Sequence, residues 1–275
     1  MEIMDMEVDN TLTRDGPAQV SDMLCAMDLD TPPEQLELDL DPTLLTEYQS
    51  EIFAYKRHME AIQVHDRFDL LQETIHLCVN YLDRFLSRVI VPIDQLQLAG
   101  TAALLLASKF EEIQSPAVAE LVYLGGDAYT PAAVRRAEID MLRALNYDMG
   151  APGPMSFLRR ISRADNYDPE IRTLAKYLVD LTLCDHRFIA VPSSMVAAVA
   201  YCASMRLLST GTWTAQHEFF SGYAEATLSG PLNVLLTLLE QPMQSLFAKY
   251  QHERYMHASD YVHELGADVL RSLHI

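Results

Sequence analysis

Basic residues are scarce in this chain. Twenty lysines and arginines stand against 39 aspartates and glutamates, a formal net charge of −19 over 275 residues. A chain this acidic repels phosphate backbones, which argues against nucleic-acid binding. Cysteine is sparse too: four residues, at 25, 78, 184 and 202, with no C-x-x-C pair. That spacing argues against a zinc or disulfide framework, and Cys78, Cys184 and Cys202 sit in apolar helical patterns as small core residues. No apolar run approaches the ~20 residues that span a bilayer. The acidic start, Met-Glu-Ile-Met-Asp-Met-Glu, does not read as a secretory leader. The expectation is an intracellular protein without membrane contact. Catalytic signatures are missing as well. His217-Glu218 and His263-Glu264 are not followed by a second histidine at metalloprotease spacing, and there is no G-x-G-x-x-G, Walker lysine or G-x-S-x-G. The adjacent carboxylates Glu111 and Glu112 would point about 100° apart on a helix, a poor acid–base geometry. No enzyme activity, cofactor or metal is expected.

Apolar residues make up 49% of the chain, enough for a core. The acid is unevenly spread. Residues 1–42 hold twelve acidic side chains and one basic one, Arg14, and read as a disordered acidic tail. Beyond them the signals are helical, with no sustained period-2 run and no hairpin dipeptide between such runs. From Leu70 to Ser87, Leu71, Ile75, Cys78, Val79, Leu82, Phe85 and Leu86 form one stripe at steps of mostly three and four. Further helices are expected over Gln95–Ser108, over Pro116–Tyr123 with Ser115 as its N-cap, and from Thr130-Pro131 to Leu145.

A repeat lies within this helical region. Asp83-Arg84-Phe85 is followed by Val91-Pro92 and the alanine-rich helix 95–108. Asp185-His186-Arg187-Phe188 is followed by Val191-Pro192 and a second alanine-rich helix, 193–208. Small side chains around most of a helix let several neighbours approach it. Each such helix is therefore expected at the centre of its own bundle. The division is a tail over 1–42, one all-helical domain over 43–150 and a second over 151–275, joined near Ala151-Pro152-Gly153-Pro154.

Several stretches in this order resemble the cyclin family, closest to its A- and B-type (G2/mitotic, fungal B-type-like) members. They include Asn80-Tyr81-Leu82-Asp83-Arg84-Phe85-Leu86-Ser87, Leu96-Gln97-Leu98-Ala99-Gly100-Thr101-Ala102-Ala103, Ala107-Ser108-Lys109-Phe110-Glu111-Glu112, Leu142-Arg143-Ala144-Leu145-Asn146-Tyr147 and Leu174-Ala175-Lys176-Tyr177-Leu178. The likeness covers about 65 to 210 and weakens toward 260. It implies an all-α fold of two tandem five-helix cyclin boxes. It also implies a regulatory subunit that activates a cyclin-dependent protein kinase at the G2/M transition, in nucleus and cytoplasm. The kinase-binding residues it implies are Lys109 and Glu138, flanked by Leu106, Phe110, Leu142, Tyr147 and Met149. The residues themselves fit an interface: Glu138 and Leu142 share a helix face, and apolar anchors beside opposite charges are ordinary at contact surfaces. A lysine at a helix C-terminus is equally ordinary as a solvated end, and Glu111 and Glu112 read as plain surface charge.

The first box departs from the family pattern. Mitotic cyclins carry Met-Arg-x-x-Leu followed by a tryptophan; here Tyr55 to Phe68 has neither, and the only tryptophan is Trp213. The first box is therefore expected to be incomplete and the substrate-docking motif absent. Asp83, which the family pairs with that motif's arginine, is a structural residue here and must turn to Lys56, Arg57, Arg67 or water. The box is then less stable, or another segment fills the gap. Neither an Arg-x-x-Leu destruction box nor Lys-Glu-Asn occurs before residue 57. The alternatives to a kinase activator are a cyclin-fold scaffold that binds a partner without activating a kinase, and a DNA-contacting cyclin fold that the charge disfavours.

Overall fold

The computed structural model describes residues 68–126, 128–240 and 242–272. Residues 1–42, the stretch 55–67 where the family motif is missing, and the candidate partners Lys56, Arg57 and Arg67 lie outside the described residues. Among those described there are eleven α-helices and no strand: α1 Gln72–Leu86, α2 Leu96–Glu111, α3 Val118–Leu124, α4 Pro131–Ala144, α5 Pro154–Ile161, α6 Pro169–Thr182, α7 Ser193–Leu207, α8 Ala215–Ser221, α9 Glu225–Glu240, α10 Gln244–Tyr250 and α11 Ala258–Ser272. None is long and apolar enough to cross a membrane.

Two cores form. The first gathers α1 to α4, with α2 packed on α1 and α4. The second gathers α5 to α9 with parts of α10 and α11, and α7 packs on α5, α6 and α9. The alanine-rich helices are central because they can be. Ala102, Ala103 and Ala107 in α2, and Ala197, Ala198, Ala200 and Ala203 in α7, have no exposed surface, so neighbouring backbones approach closely. The repeat is only partly structural. Asp83 lies inside α1, whereas Asp185 follows α6 and caps a 3-10 turn over His186–Phe188, its Oδ1 accepting from Arg187 N at 2.8 Å.

The start of α4 follows the sequence signal: Thr130 Oγ1 accepts from Ala133 N at 3.1 Å, with Pro131 in the first turn. The start of α3 does not. Ser115 and Pro116 precede the helix, and Ala117 occupies the N-cap. Alanine has no capping group, so Glu120 supplies the bond from the third helical position, its Oε2 accepting from Ala117 N at 2.8 Å.

In α1 the expected stripe is buried from Ile75 to Phe85, while Leu71 is half exposed. More is buried than one stripe requires: Thr74, His76, Leu77 and Tyr81 are covered too. The reason is that α1 also touches the second core. Asp180 of α6, 2% exposed, accepts from Gln72 Nε2 at 3.1 Å, His76 Nε2 at 3.1 Å, Tyr250 Oη at 2.7 Å and Lys249 Nζ at 3.3 Å. Gln72 also donates to Tyr250 Oη at 2.6 Å. One carboxylate thus joins α1, α6 and α10. Burial alone would push its carboxyl up. The Lys249 ammonium, with the bonds from His76 and Tyr250, outweighs burial and holds it far below the usual carboxylate range. The other end of α1 grips the segment after α4. Tyr81 Oη donates to the Met149 carbonyl at 2.7 Å, and Arg84 reaches the Asp148 carbonyl at 2.8 Å. Burial, then the Glu111 carboxylate, push the Tyr81 hydroxyl up to about 12.

Asp180→Asn removes a buried carboxylate that lies 3.3 Å from the Lys249 ammonium and is expected to cost about 3–5 kcal/mol in thermal or urea unfolding. A depressed folded pKa stabilises above the unfolded value of about 4 and loses that effect as pH falls. Stability of the Asn variant is therefore expected to decline less steeply than that of the parent between about pH 4 and pH 2. Tyr81→Phe strands the Met149 carbonyl and is expected to cost about 1–2 kcal/mol in the same measurement.

Candidate partner-binding corner

Helix α2 runs past Ser108 to Glu111, so Lys109 and Phe110 stand on its last turn. Ser108 is fully buried, its Oγ bonded to the Leu105 carbonyl at 3.0 Å. Lys109 and Phe110 emerge beside it. Lys109 Nζ meets Glu138 Oε1 of α4 at 2.5 Å, the lysine side chain 46% and the glutamate 12% exposed. An ion pair this open to water contributes at most ~1 kcal/mol to folding. Its consequence is placement: it fixes the end of α2 against α4.

The apolar residues divide into three groups. Phe110 and Tyr147 are 54% and 66% exposed. Leu142 and Met149 are half-buried against the first core, and the Met149 carbonyl is occupied by Tyr81. Leu106 belongs to that core and offers almost no surface. Two exposed residues escaped the sequence reading, Ile113 and Ile139, fully and 46% exposed. The signal for both was adjacency: Ile139 follows Glu138, and Ile113 follows the charged end of α2. Tyr147 owes its exposure to the backbone. Asn146 and Tyr147 have φ of 53° and 57°, and Tyr147 N bonds the Leu142 carbonyl at 3.0 Å to close α4. Left-handed backbone is uncommon for a bulky residue.

Glu112 is not simple surface charge. Its Oε1 accepts from Leu71 N at 2.7 Å and from Thr74 Oγ1, at the start of α1. Glu111 remains partly covered; burial first, then Glu73 and Glu112, raise its carboxyl above the ordinary value. Asp83 is half-buried and lines a cleft of about 110 Å³ between the two cores, with Asn80, Pro152, Asp185 and Phe188.

One cluster imitates catalytic machinery. Buried His217 donates from Nε2 to Asp165 Oδ2 at 2.8 Å, and its Nδ1 faces Thr214 Oγ1 at 2.8 Å. Thr214 N also donates to Nδ1 at 3.1 Å, and the Trp213 ring stacks on the imidazole at 4.9 Å. The ring caps α8 from inside the core and has no substrate-facing nitrogen. Among the described residues no cluster of three or more His, Cys, Asp or Glu side chains could hold a metal. The corner at Lys109 sets exposed apolar side chains on the segments that carry the Lys109–Glu138 ion pair.

Comparison with known proteins agrees in kind. Residues 47–150 match the family model "Cyclin, N-terminal domain", and residues 152–264 match "Cyclin, C-terminal domain". G2/mitotic-specific cyclin-4 of Candida albicans is 41% identical, covering 82% of this chain and 52% of its own length. G2/mitotic-specific cyclin-B of Emericella nidulans is 38% identical over 84% of this chain and 54% of its own. G2/mitotic-specific cyclin-B2 of Gallus gallus is 38% identical over 80% and 61%. The chain therefore spans about half of the fungal relatives' length. Among solved structures, a viral cyclin from herpesvirus saimiri superposes with a TM-score of 0.57 at 22% identity, covering 78% of this chain and 84% of the other. A chain of the yeast RNA polymerase II CTD kinase CTDK-1 complex gives 0.61 at 12%, covering 78% and 76%; both likenesses speak to the fold. With helical bundles of the matching order and two family models covering most of its length, the chain belongs to the cyclin family.

Proposed function

We propose that this chain is a regulatory subunit, without catalytic chemistry of its own, that binds and activates a cyclin-dependent protein kinase at the G2/M transition. One observation carries the site: Phe110, Ile113, Ile139 and Tyr147, all exposed, share the segments that frame the Lys109–Glu138 pair. Exposed aromatic and branched apolar side chains beside fixed charges are what a protein partner desolvates. The acidic chain suits a partner with a basic face. The similarity to G2/mitotic cyclins supports the timing, and the reading places the complex in nucleus and cytoplasm.

Activation follows from differential binding. A kinase whose regulatory helix swings between two positions is moved toward the active one only by a surface that binds that state better. A rigid corner docked on the inward position lets the kinase's own lysine–glutamate pair form and its activation loop open. An interface of this kind buries more than ~1,600 Å² in total. The substrate-docking motif seen in mitotic cyclins is missing from the sequence, so kinase contacts are the core of this reading.

The test exchanges the two charges. Lys109→Glu with Glu138→Lys keeps an internal ion pair and is expected to leave the melting temperature unchanged. Affinity for the kinase, measured by calorimetry with purified partner, is expected to drop at least ~100-fold, and histone phosphorylation by the mixture to fall with it. Unchanged affinity would refute the placement; parental binding that never stimulates phosphorylation would make the chain a scaffold. For the timing, depletion in synchronised cells is expected to arrest them with replicated DNA before spindle assembly. Arrest before replication would contradict it.

A further inference from the structure

We propose that Glu112 is a positioning residue for this corner: it caps α1 from a distance and thereby fixes where the last turn of α2 points. The inference rests on the corner being the kinase-binding surface.

Helix α1 begins without its own cap. Its N-cap residue is Leu71, which has no side-chain acceptor, and the first amides of any helix need one. Glu112 supplies the acceptor from 41 residues away, taking Leu71 N at 2.7 Å and the Thr74 hydroxyl on the same oxygen. A carboxylate beside a helix N-terminus also meets the favourable end of the helix dipole. Glu112 is at the same time the residue on which α2 stops: its N–H closes the helix on the Ser108 carbonyl at 2.9 Å, and its backbone turns extended, with φ −89° and ψ 148°.

These two roles on one residue tie the corner from two sides. Lys109 joins the end of α2 to α4 through Glu138, and Glu112, three residues later, joins it to α1. Phe110 lies between the two ties and Ile113 directly after the second. Without Glu112 the last turn of α2 keeps its buried packing through Leu106 and Ser108 and the Lys109–Glu138 tie but loses its hydrogen bonds to α1, and Phe110 and Ile113 are directed less firmly. A local capping residue would stabilise α1 equally well without making that tie, and this separates positioning from simple helix stability.

The experiment uses three versions of the full chain: parent, Glu112→Ala, and Glu112→Ala with Leu71→Ser. Leu71 is half exposed and already has the extended backbone, φ −65° and ψ 147°, that a serine cap uses. Glu112→Ala is expected to lower both the melting temperature and kinase affinity, the latter about 10-fold or more. The added serine is expected to recover the melting temperature and leave affinity reduced. Recovery of affinity along with stability would overturn the proposal, as would parental affinity in Glu112→Ala. The charge exchange at Lys109 and Glu138 serves as the control. If it leaves affinity intact, the kinase-binding reading fails; if it abolishes affinity while Glu112→Ala does not, only the positioning role fails.

Discussion

The arrangement of the two helical cores turns on one carboxylate removed from water. Asp180 is buried on α6 with Lys249 beside it. A buried charge is tolerable only when matched and hydrogen-bonded on its remaining lone pairs. Four donors from α1 and α10 meet that condition. Their directions leave little freedom, because Gln72 must serve Asp180 and Tyr250 together. The network therefore fixes the first core against the second more tightly than apolar contact would, since greasy surfaces slide and hydrogen bonds do not. Tyr250 is further held between Tyr177 and Tyr255, at ring distances of 4.9 and 4.7 Å.

From that fixed helix the geometry of the Lys109 corner follows. α1 is anchored at its beginning by Asp180 and near its end by Tyr81 and Arg84 on the segment after α4. The residues that frame the corner thus lie on the end of α2 and on the second half of α4 with its closing turn, both tied to a helix that is itself tied to the other core. The proposed action, favouring one conformer of a kinase, needs this rigidity: a surface that adapts to both conformers binds both and shifts nothing.

How much of this was legible in the sequence depended on the range of the interactions. The α1 stripe, the Thr130-Pro131 start and the central alanine-rich helices were readable because their causes are local: spacing, caps and side-chain size. The Ser115-Pro116 start misled because a capping pair is also a common loop, and the helix found its cap in Glu120. Asp180 gave no signal. It sits among Leu178, Val179 and Leu181, and its partners are 69 to 108 residues away. Glu112 looked like surface charge for the same reason. Lys109 and Glu138 came from family resemblance; the structure pairs them, buries Leu106 in the first core and leaves Ile113 and Ile139 exposed on the neighbouring segments.

Tyr147 carries a last consequence. Its left-handed backbone is set by the closing turn of α4, so the phenol ring stands clear of the surface before any partner arrives. A side chain hung on a mobile loop would surrender much of its freedom at the moment of contact. Here the backbone's share of that loss has already occurred during folding, and under the proposed binding role more of what the ring gains on desolvation would go into affinity.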